Sequence, residues 1–218
     1  PNDTWAVDFK GHFGLGDKTR CHPLTITDDV SRYLLKCEGL ARPDFASARV
    51  HFERAFREFG LPQRIRSDNG TPFASAGVGG LSELAVWWLK LGILPERIDP
   101  GHPEQNGRHE RMHRTLKDET TKPPASSLGD QQRVFDRFRR IYNDERPHEA
   151  LDQKPPASRY TPSRRSMPER LQSPEYPDGM KVRKLDKNGS LRFSGQRLKT
   201  RVTRLLANEP VGLEQVDE

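Results

Sequence analysis

The sequence predicts an α/β fold with a mixed sheet, followed by a Pro-rich linker and a small β-barrel. Three observations predict it. Apolar and β-branched runs at 5–9, 21–28 and 33–40 precede any helical pattern, and helical and strand patterns alternate from 45 onward. Seven prolines then fall within residues 147–177, too many for helices or central strands. Beyond them the apolar positions alternate around Asn188-Gly189, a two-residue hairpin signal.

The first two strand patterns are joined by the Gly-rich stretch from Gly11 to Asp17. Phe45, Ala48, Phe52, Ala55, Phe56 and Phe59 stand at helical spacing, and Gly60 with Pro62 stops that helix. Ile65 belongs to a short strand that runs into the turn sequence Ser67-Asp68-Asn69-Gly70. Leu81 to Leu91 reads as a buried helix in which Trp87 and Trp88 are core residues, and Ile93 to Ile98 reads as a strand. A Pro- and Gly-rich loop runs from Asp99 to Gly107. Helix formers return from Gly107 to about Thr120, and Val134, Phe135, Phe138, Ile141 and Tyr142 mark another amphipathic helix. The order (three strands, helix, strand, helix, strand, two helices) implies a sheet covered by helices. The expected division is a core over 1–146, a linker over 147–179 wrapped on a surface, and a small basic β-barrel over 180–218, whole or truncated.

The 218 residues suffice for one well-buried domain and a small second one. Only 32% are hydrophobic and 31% are charged, and the net charge of +6 favours a polyanionic partner. The charge is unevenly spread: residues 181–204 hold nine basic side chains against the single acid Asp186, leaving the rest slightly acidic. Two cysteines, Cys21 and Cys37, lie in strand patterns without metal-ligand spacing, which suits a reducing compartment. No run has the length of a membrane span and no signal peptide is visible, so no membrane partner is expected. A chain that opens on Pro1 with a strand beginning at Trp5 reads as a piece of a longer protein.

Three acids stand at the ends of regular elements: Asp8 in the first strand, Asp68 after the fourth, Glu110 in the first turn of the helix after the loop. Oxygen ligands so grouped suit Mg²⁺ or Mn²⁺, and two such ions would clamp the attacking and leaving oxygens of a phosphoryl displacement.

The sequence around these acids is specific. Trp5-Ala6-Val7-Asp8-Phe9-Lys10-Gly11, with Pro23-Leu24-Thr25 and Asp29-Val30-Ser31-Arg32, resembles the opening of the integrase catalytic core of bacterial insertion-sequence transposases and retroviral integrases. Ser67-Asp68-Asn69-Gly70-Thr71-Pro72-Phe73 resembles its second acidic motif, and the stretch from His102 to Lys117 its third. Tyr142 to Leu151 is similar to the segment that follows in bacterial transposases. The likeness covers about residues 5–165. It implies a ribonuclease-H-like fold with a five-stranded mixed sheet, two Mg²⁺ or Mn²⁺ ions, and a catalytic and metal-binding triad of Asp8, Asp68 and Glu110. It also implies a DNA strand-transfer reaction in a bacterial, nucleoid-associated cytoplasmic setting. DNA is hydrolysed at a transposon end, and the freed 3′-hydroxyl attacks target DNA without a covalent protein intermediate. Synapsis of two ends implies a homo-oligomer, at least a dimer.

Spacing and context disagree on the third acid. Thirty-five residues separate Asp68 from Glu104 and forty-one separate it from Glu110. The family's Glu follows the motif Gly by three positions, so Gly107 selects Glu110, on a helix that mounts a ligand more rigidly than a loop. Glu110, His113, Arg114 and Lys117 share one helical face, so Arg114 and Lys117 are candidate phosphate contacts. Lys181, Arg183, Lys184, Arg197, Lys199 and Arg201 are the candidate contacts of the basic tail. Asp28 and Asp29 read as structural strand-end residues, and His12, His22 and His51 as surface or turn residues without a partner pattern. Two rival readings stand beside this one. One is a non-catalytic DNA-binding or assembly fragment. The other is a zinc metalloprotease, because His109-Glu110-Arg111-Met112-His113 is a formal HExxH, though without a third-ligand continuation.

Overall fold

The computed structural model describes residues 1–75, 80–98, 107–171, 175–193, 196–198 and 204–214. Its sheet contains β1 (Thr4–Phe9), β2 (Phe13–Gly14), β3 (Arg20–Asp28), β4 (Leu34–Leu40), β5 (Arg64–Ser67) and β6 (Leu94–Arg97). The long strands lie in the order β4-β3-β1-β5-β6. β1, β3 and β4 are antiparallel neighbours, whereas β5 runs parallel to β1 and β6 parallel to β5. The expected mixed five-stranded sheet is therefore present. The short β2, opposite the start of β3, is an addition: the Gly-rich stretch pairs Phe13 with Cys21 instead of remaining a plain connection.

Four helices cover the two faces: α1 (Phe45–Phe59), α2 (Glu83–Lys90), α3 (Gly107–Thr120) and α4 (Leu128–Asp144). Alternation along β1 sends Trp5 and Val7 to one face, where they join Phe52, Phe56, Trp87 and Trp88 from α1 and α2. On the other face Cys21, Leu34 and Cys37 meet Met112 and Leu116 of α3 and Phe135, Phe138 and Tyr142 of α4. Each large side chain so buried contributes roughly 1.5–3 kcal/mol. Asp44 caps α1 by accepting from the Ser47 N–H, and Ser82 caps α2 by accepting from the Ala85 N–H. Gly60 ends α1 at φ +75°, with the carbonyls of Ser163 and Arg165 close enough that a Cβ would sit 2.6 and 2.8 Å from them.

After α4 the chain lies against the core. Tyr160 stacks on Tyr33 at 4.4 Å, and the Arg165 guanidinium donates to the carbonyls of Pro62, Leu91 and Gly92. Further on, β7 (Lys181–Lys184) pairs with β10 (Pro210–Leu213), and β8 (Leu191–Phe193) pairs with β9 (Gln196–Leu198). The Asn188-Gly189 turn is present and is closed by Asp186, whose side chain accepts from Asn188 N and Ser190 N. It does not join a ladder of its own flanking strands as the hairpin pattern suggests, because β7 and β8 each pair elsewhere.

Candidate active site

Register brings two of the acids together. Val7 stands opposite Ser67 in the parallel β1/β5 pair, so the next residues, Asp8 and Asp68, emerge side by side at the same end of the sheet. Adjacent strands are about 4.8 Å apart. The Asp68 carboxylate turns back to accept from the Gly70 N–H at 3.1 Å. A Cβ on Gly70 would sit 3.0 Å from that carboxylate, so the motif glycine leaves room for it.

Glu110 comes from the other direction, on the first turn of α3, and is exposed. Burial pushes the Asp8 carboxyl pKa up to about 7; the charge of Asp68 adds to the rise, the Phe9 N–H and Lys10 oppose it, and Glu110 adds the smallest rise. The charges of Asp68 and Glu110 are thus both felt at Asp8. Glu104 and the loop at 99–106 lie outside the described residues.

What fixes α3 over the sheet is a cluster of four polar side chains. His109 and His113, one helical turn apart, both place Nε2 2.7 Å from the Thr25 hydroxyl, and His109 Nδ1 lies 3.0 Å from the Thr27 hydroxyl. Thr25 is the residue opposite Asp8 in the β1/β3 ladder. The Thr25 hydroxyl has one proton and two acceptor lone pairs and also lies 3.3 Å from the Asp8 carbonyl, so at least one of the two rings donates to it. Burial drives the pKa values of His109 and His113 down to about 3 and about 2. Both rings are therefore neutral, and the 3.5 Å approach of His113 Nδ1 to Asp8 Oδ2 is not an ion pair.

The ligand atoms of Asp8, His109 and His113 lie within 4.8 Å of one another. Of the HExxH nitrogens, both Nε2 atoms lie against Thr25 and His109 Nδ1 against Thr27, while His113 Nδ1 faces Asp8. The single face drawn through Glu110, His113, Arg114 and Lys117 also divides: His113 is only 2% exposed, whereas the other three are exposed. The buried set His109, Met112, His113, Leu116 and Thr120 has the spacing of an apolar helix face. That spacing is the sequence signal by which the two histidines could have been placed inside.

Asp28 is fully buried and accepts from Asn2 N, Ser31 N and Ser31 Oγ. Asp29 gathers arginines: Arg66 at 3.3 Å, Arg108 at 3.2 Å and Arg32 at 3.8 Å. His51 is not without a partner, since its Nδ1 lies 3.3 Å from the Glu38 carboxylate, a pairing across α1 and β4 that no local pattern announces. The rings of His12 and His22 lie 5.2 Å apart, tilted by 36°. Lys181, Arg183 and Lys184 are exposed along β7, and Arg197 falls in β9. Lys199 and Arg201 lie outside the described residues.

The sheet thus carries Asp8 and Asp68 at the ends of two parallel strands, with Glu110 on the first turn of α3. Two family models of the integrase core domain match the chain, one over residues 1–103 and one over 91–156. The chain belongs to the integrase core-domain family. It is 31% identical over 161 residues to the uncharacterized 39.2 kDa protein of insertion element IS476 from Xanthomonas euvesicatoria, covering 72% of this chain and 44% of that protein. It is 29% identical over 157 residues to the uncharacterized 31.7 kDa protein of insertion element IS407 from Burkholderia multivorans, covering 70% of this chain and 53% of that protein. The chain thus spans about half the length of these relatives. Among solved structures, the HTLV-2 integrase catalytic core in complex with magnesium superposes with a TM-score of 0.57 at 18% identity, over 72% of this chain and 95% of that one. A simian T-cell lymphotropic virus intasome chain reaches 0.60 at 20% identity, over 90% of this chain and 65% of that one. The fold is that of the integrase core, and it is ribonuclease-H-like.

Proposed function

We propose that this chain is the catalytic core of a DNA transposase or integrase, a metal-dependent polynucleotidyl transferase in which Asp8, Asp68 and Glu110 hold two Mg²⁺ or Mn²⁺ ions. The observation that carries the reading is the Asp8 carboxyl, pushed up to about 7 by burial beside Asp68 and Glu110. A site that crowds acids until one resists ionisation is short of positive charge. Divalent cations fit it better than a proton does, and the oxygen-rich donor set favours hard ions. The magnesium present in the HTLV-2 catalytic core is consistent with that choice.

When bound, the ions supply Lewis acidity for activating a water or 3′-hydroxyl and for stabilising the leaving 3′-oxygen. The chain's own residues do the rest. The parallel β1/β5 register holds Asp8 and Asp68 at a common height, and the His109–Thr25–His113 cluster holds the helix that presents Glu110. Arg114 and Lys117, exposed one and two turns beyond Glu110, meet the scissile strand's phosphates. The basic residues of 181–204, including Lys181, Arg183, Lys184, Arg197, Lys199 and Arg201, hold the backbone further out, within a linker-borne small β-barrel. The partners are transposon-end and target DNA, and the working form is at least a dimer.

The test is Mn²⁺-dependent nicking and strand transfer on a labelled duplex by the 218-residue protein. Asp8→Asn, Asp68→Asn and Glu110→Gln should each reduce the rate by about a hundredfold or more while DNA binding is retained. Loss with Glu104→Gln but not with Glu110→Gln would reassign the third ligand. Activity surviving all three substitutions would remove the proposed chemistry.

A further inference from the structure

We propose that an arginine-lined pocket between α3 and the end of α4 grips a DNA backbone phosphate one helix width away from the carboxylates; the proposal rests on the DNA-cutting reading above. The pocket has a volume of about 510 Å³ and is lined by Arg32, Arg108, Arg111, Arg146, Tyr142 and His148 among others. None of its arginines belongs to the set expected from sequence to touch DNA.

Its charge is not balanced from within. Arg32 and Arg108 both lean on Asp29, which is shared in addition with Arg66. Arg146 reaches Glu119 at 2.5 Å, and Glu149 lies at the pocket wall. Arg111 makes no ion pair among the described residues and is exposed. The arginines repel one another: burial, Arg108 and Arg111 all depress the Arg32 pKa, against Asp29 and Tyr142. A donor also stands unused, because Arg146 Nε is buried without a hydrogen-bond partner. Burial keeps the Tyr142 hydroxyl protonated, its pKa pushed up to about 12, so it too is a donor.

Guanidinium forks around an incomplete hydrogen-bond set suit a tetrahedral phosphate oxyanion. Position selects its source. Arg108, Arg111, Met112 and Thr115 line the pocket from the side of α3 roughly opposite Glu110, so the helix itself, about 10–12 Å across, stands between carboxylates and pocket. Duplex DNA carries a charge about every 1.7 Å of its axis. A duplex laid across α3 therefore offers one phosphate to the carboxylates and another to the pocket at the same time. The pocket would set how far the duplex slides past the cutting site.

The test uses the 218-residue protein carrying Asp8→Asn, so that binding is read with chemistry removed, in EDTA, by anisotropy of a labelled duplex across a salt series. Adding Arg111→Gln should weaken binding about tenfold and lower the slope of log affinity against log salt by about 0.9, the value of one phosphate contact. Arg137→Gln, which removes the same charge from an exposed site on α4 outside the pocket, should leave the slope in place. An unchanged slope with Arg111→Gln, or an equal fall with Arg137→Gln, overturns the proposal. A free-anion site would show differently. Inorganic phosphate would raise the melting temperature over chloride at equal ionic strength, the rise would vanish with Arg111→Gln, and the DNA slope would not move; that result also overturns the DNA assignment. Failure of the triad is read separately, as nicking that survives Asp8→Asn without any change in these binding curves.

Discussion

Asp8 illustrates how a residue can be costly to the fold and necessary to the site. Its carboxyl titrates near 3.8 in an open chain and at about 7 in the metal-free fold. Between those values the folded state holds a proton that the unfolded state has released, so stability falls as pH rises from about 4 to about 7 and levels off above. The loss is on the order of a few kcal/mol. Asp8→Asn removes the titrating group. In EDTA, the variant should unfold at higher urea than the parent at pH 8, with the gap closing toward pH 4. Added Mn²⁺ should then stabilise the parent at pH 8 more than the variant, by mass action on the folded state. A parent whose urea midpoint is flat from pH 4 to pH 8 would mean the carboxyl is not strained.

At the level of elements, α4 does more than cover the sheet. Among the described residues β4 pairs only with β3, so its outer edge has backbone groups outside the ladder. Three residues on one face of α4 satisfy them. Asn143 accepts from Leu34 N at 2.8 Å and donates to Leu34 O at 3.0 Å; Gln132 accepts from Gly39 N and donates to Cys37 O; Arg139 donates to Leu35 O. Asn143→Ala should cost about 1–3 kcal/mol, because it orphans two buried backbone groups at once. Exposed Asp144→Ala, next to it, should cost less than about 0.5 kcal/mol, and urea unfolding compares them. Equal small losses would mean water replaces the amide.

The same contrast separates what could be read in the sequence from what could not. Helices α1 to α4 and the long strands announce themselves by period, because an apolar face repeats every 3.6 or 2 residues wherever one side is buried. The proposed triad of Asp8, Asp68 and Glu110 rests on the motifs around these residues and not on period. The Asn143 and Gln132 pairings to β4, the His109–Thr25–His113 cluster and the Asp29–Arg108 pair link residues 79 to 109 positions apart. They leave no local pattern, since each partner alone is an ordinary polar residue. β2 was missed for a different reason: two residues are too few to show a period.

At the scale of the whole molecule, charge is divided between a slightly acidic remainder of the chain and a tail with an excess of basic residues over 181–204. The tail's described part is thin: β7 and β10 form one ribbon, β8 and β9 another, and Lys90 of α2 meets Glu209 across 2.5 Å. Lys181, Arg183 and Lys184 stand exposed along β7, where flexible cations gain little from one another and most from a polyanion. If the ribbon only holds DNA, removing its charge should affect binding and leave the chemical step alone. Replacing all three by Gln should reduce the salt slope of DNA binding by up to about 0.9 per lost contact. The Mn²⁺-dependent nicking rate at saturating DNA should match the parent's, because a contact made equally before and during reaction changes affinity without changing turnover. A fall in that saturated rate would place the ribbon against the reacting strand. An unchanged slope would mean that β7 faces something other than DNA, and that the chain's excess positive charge is spent elsewhere.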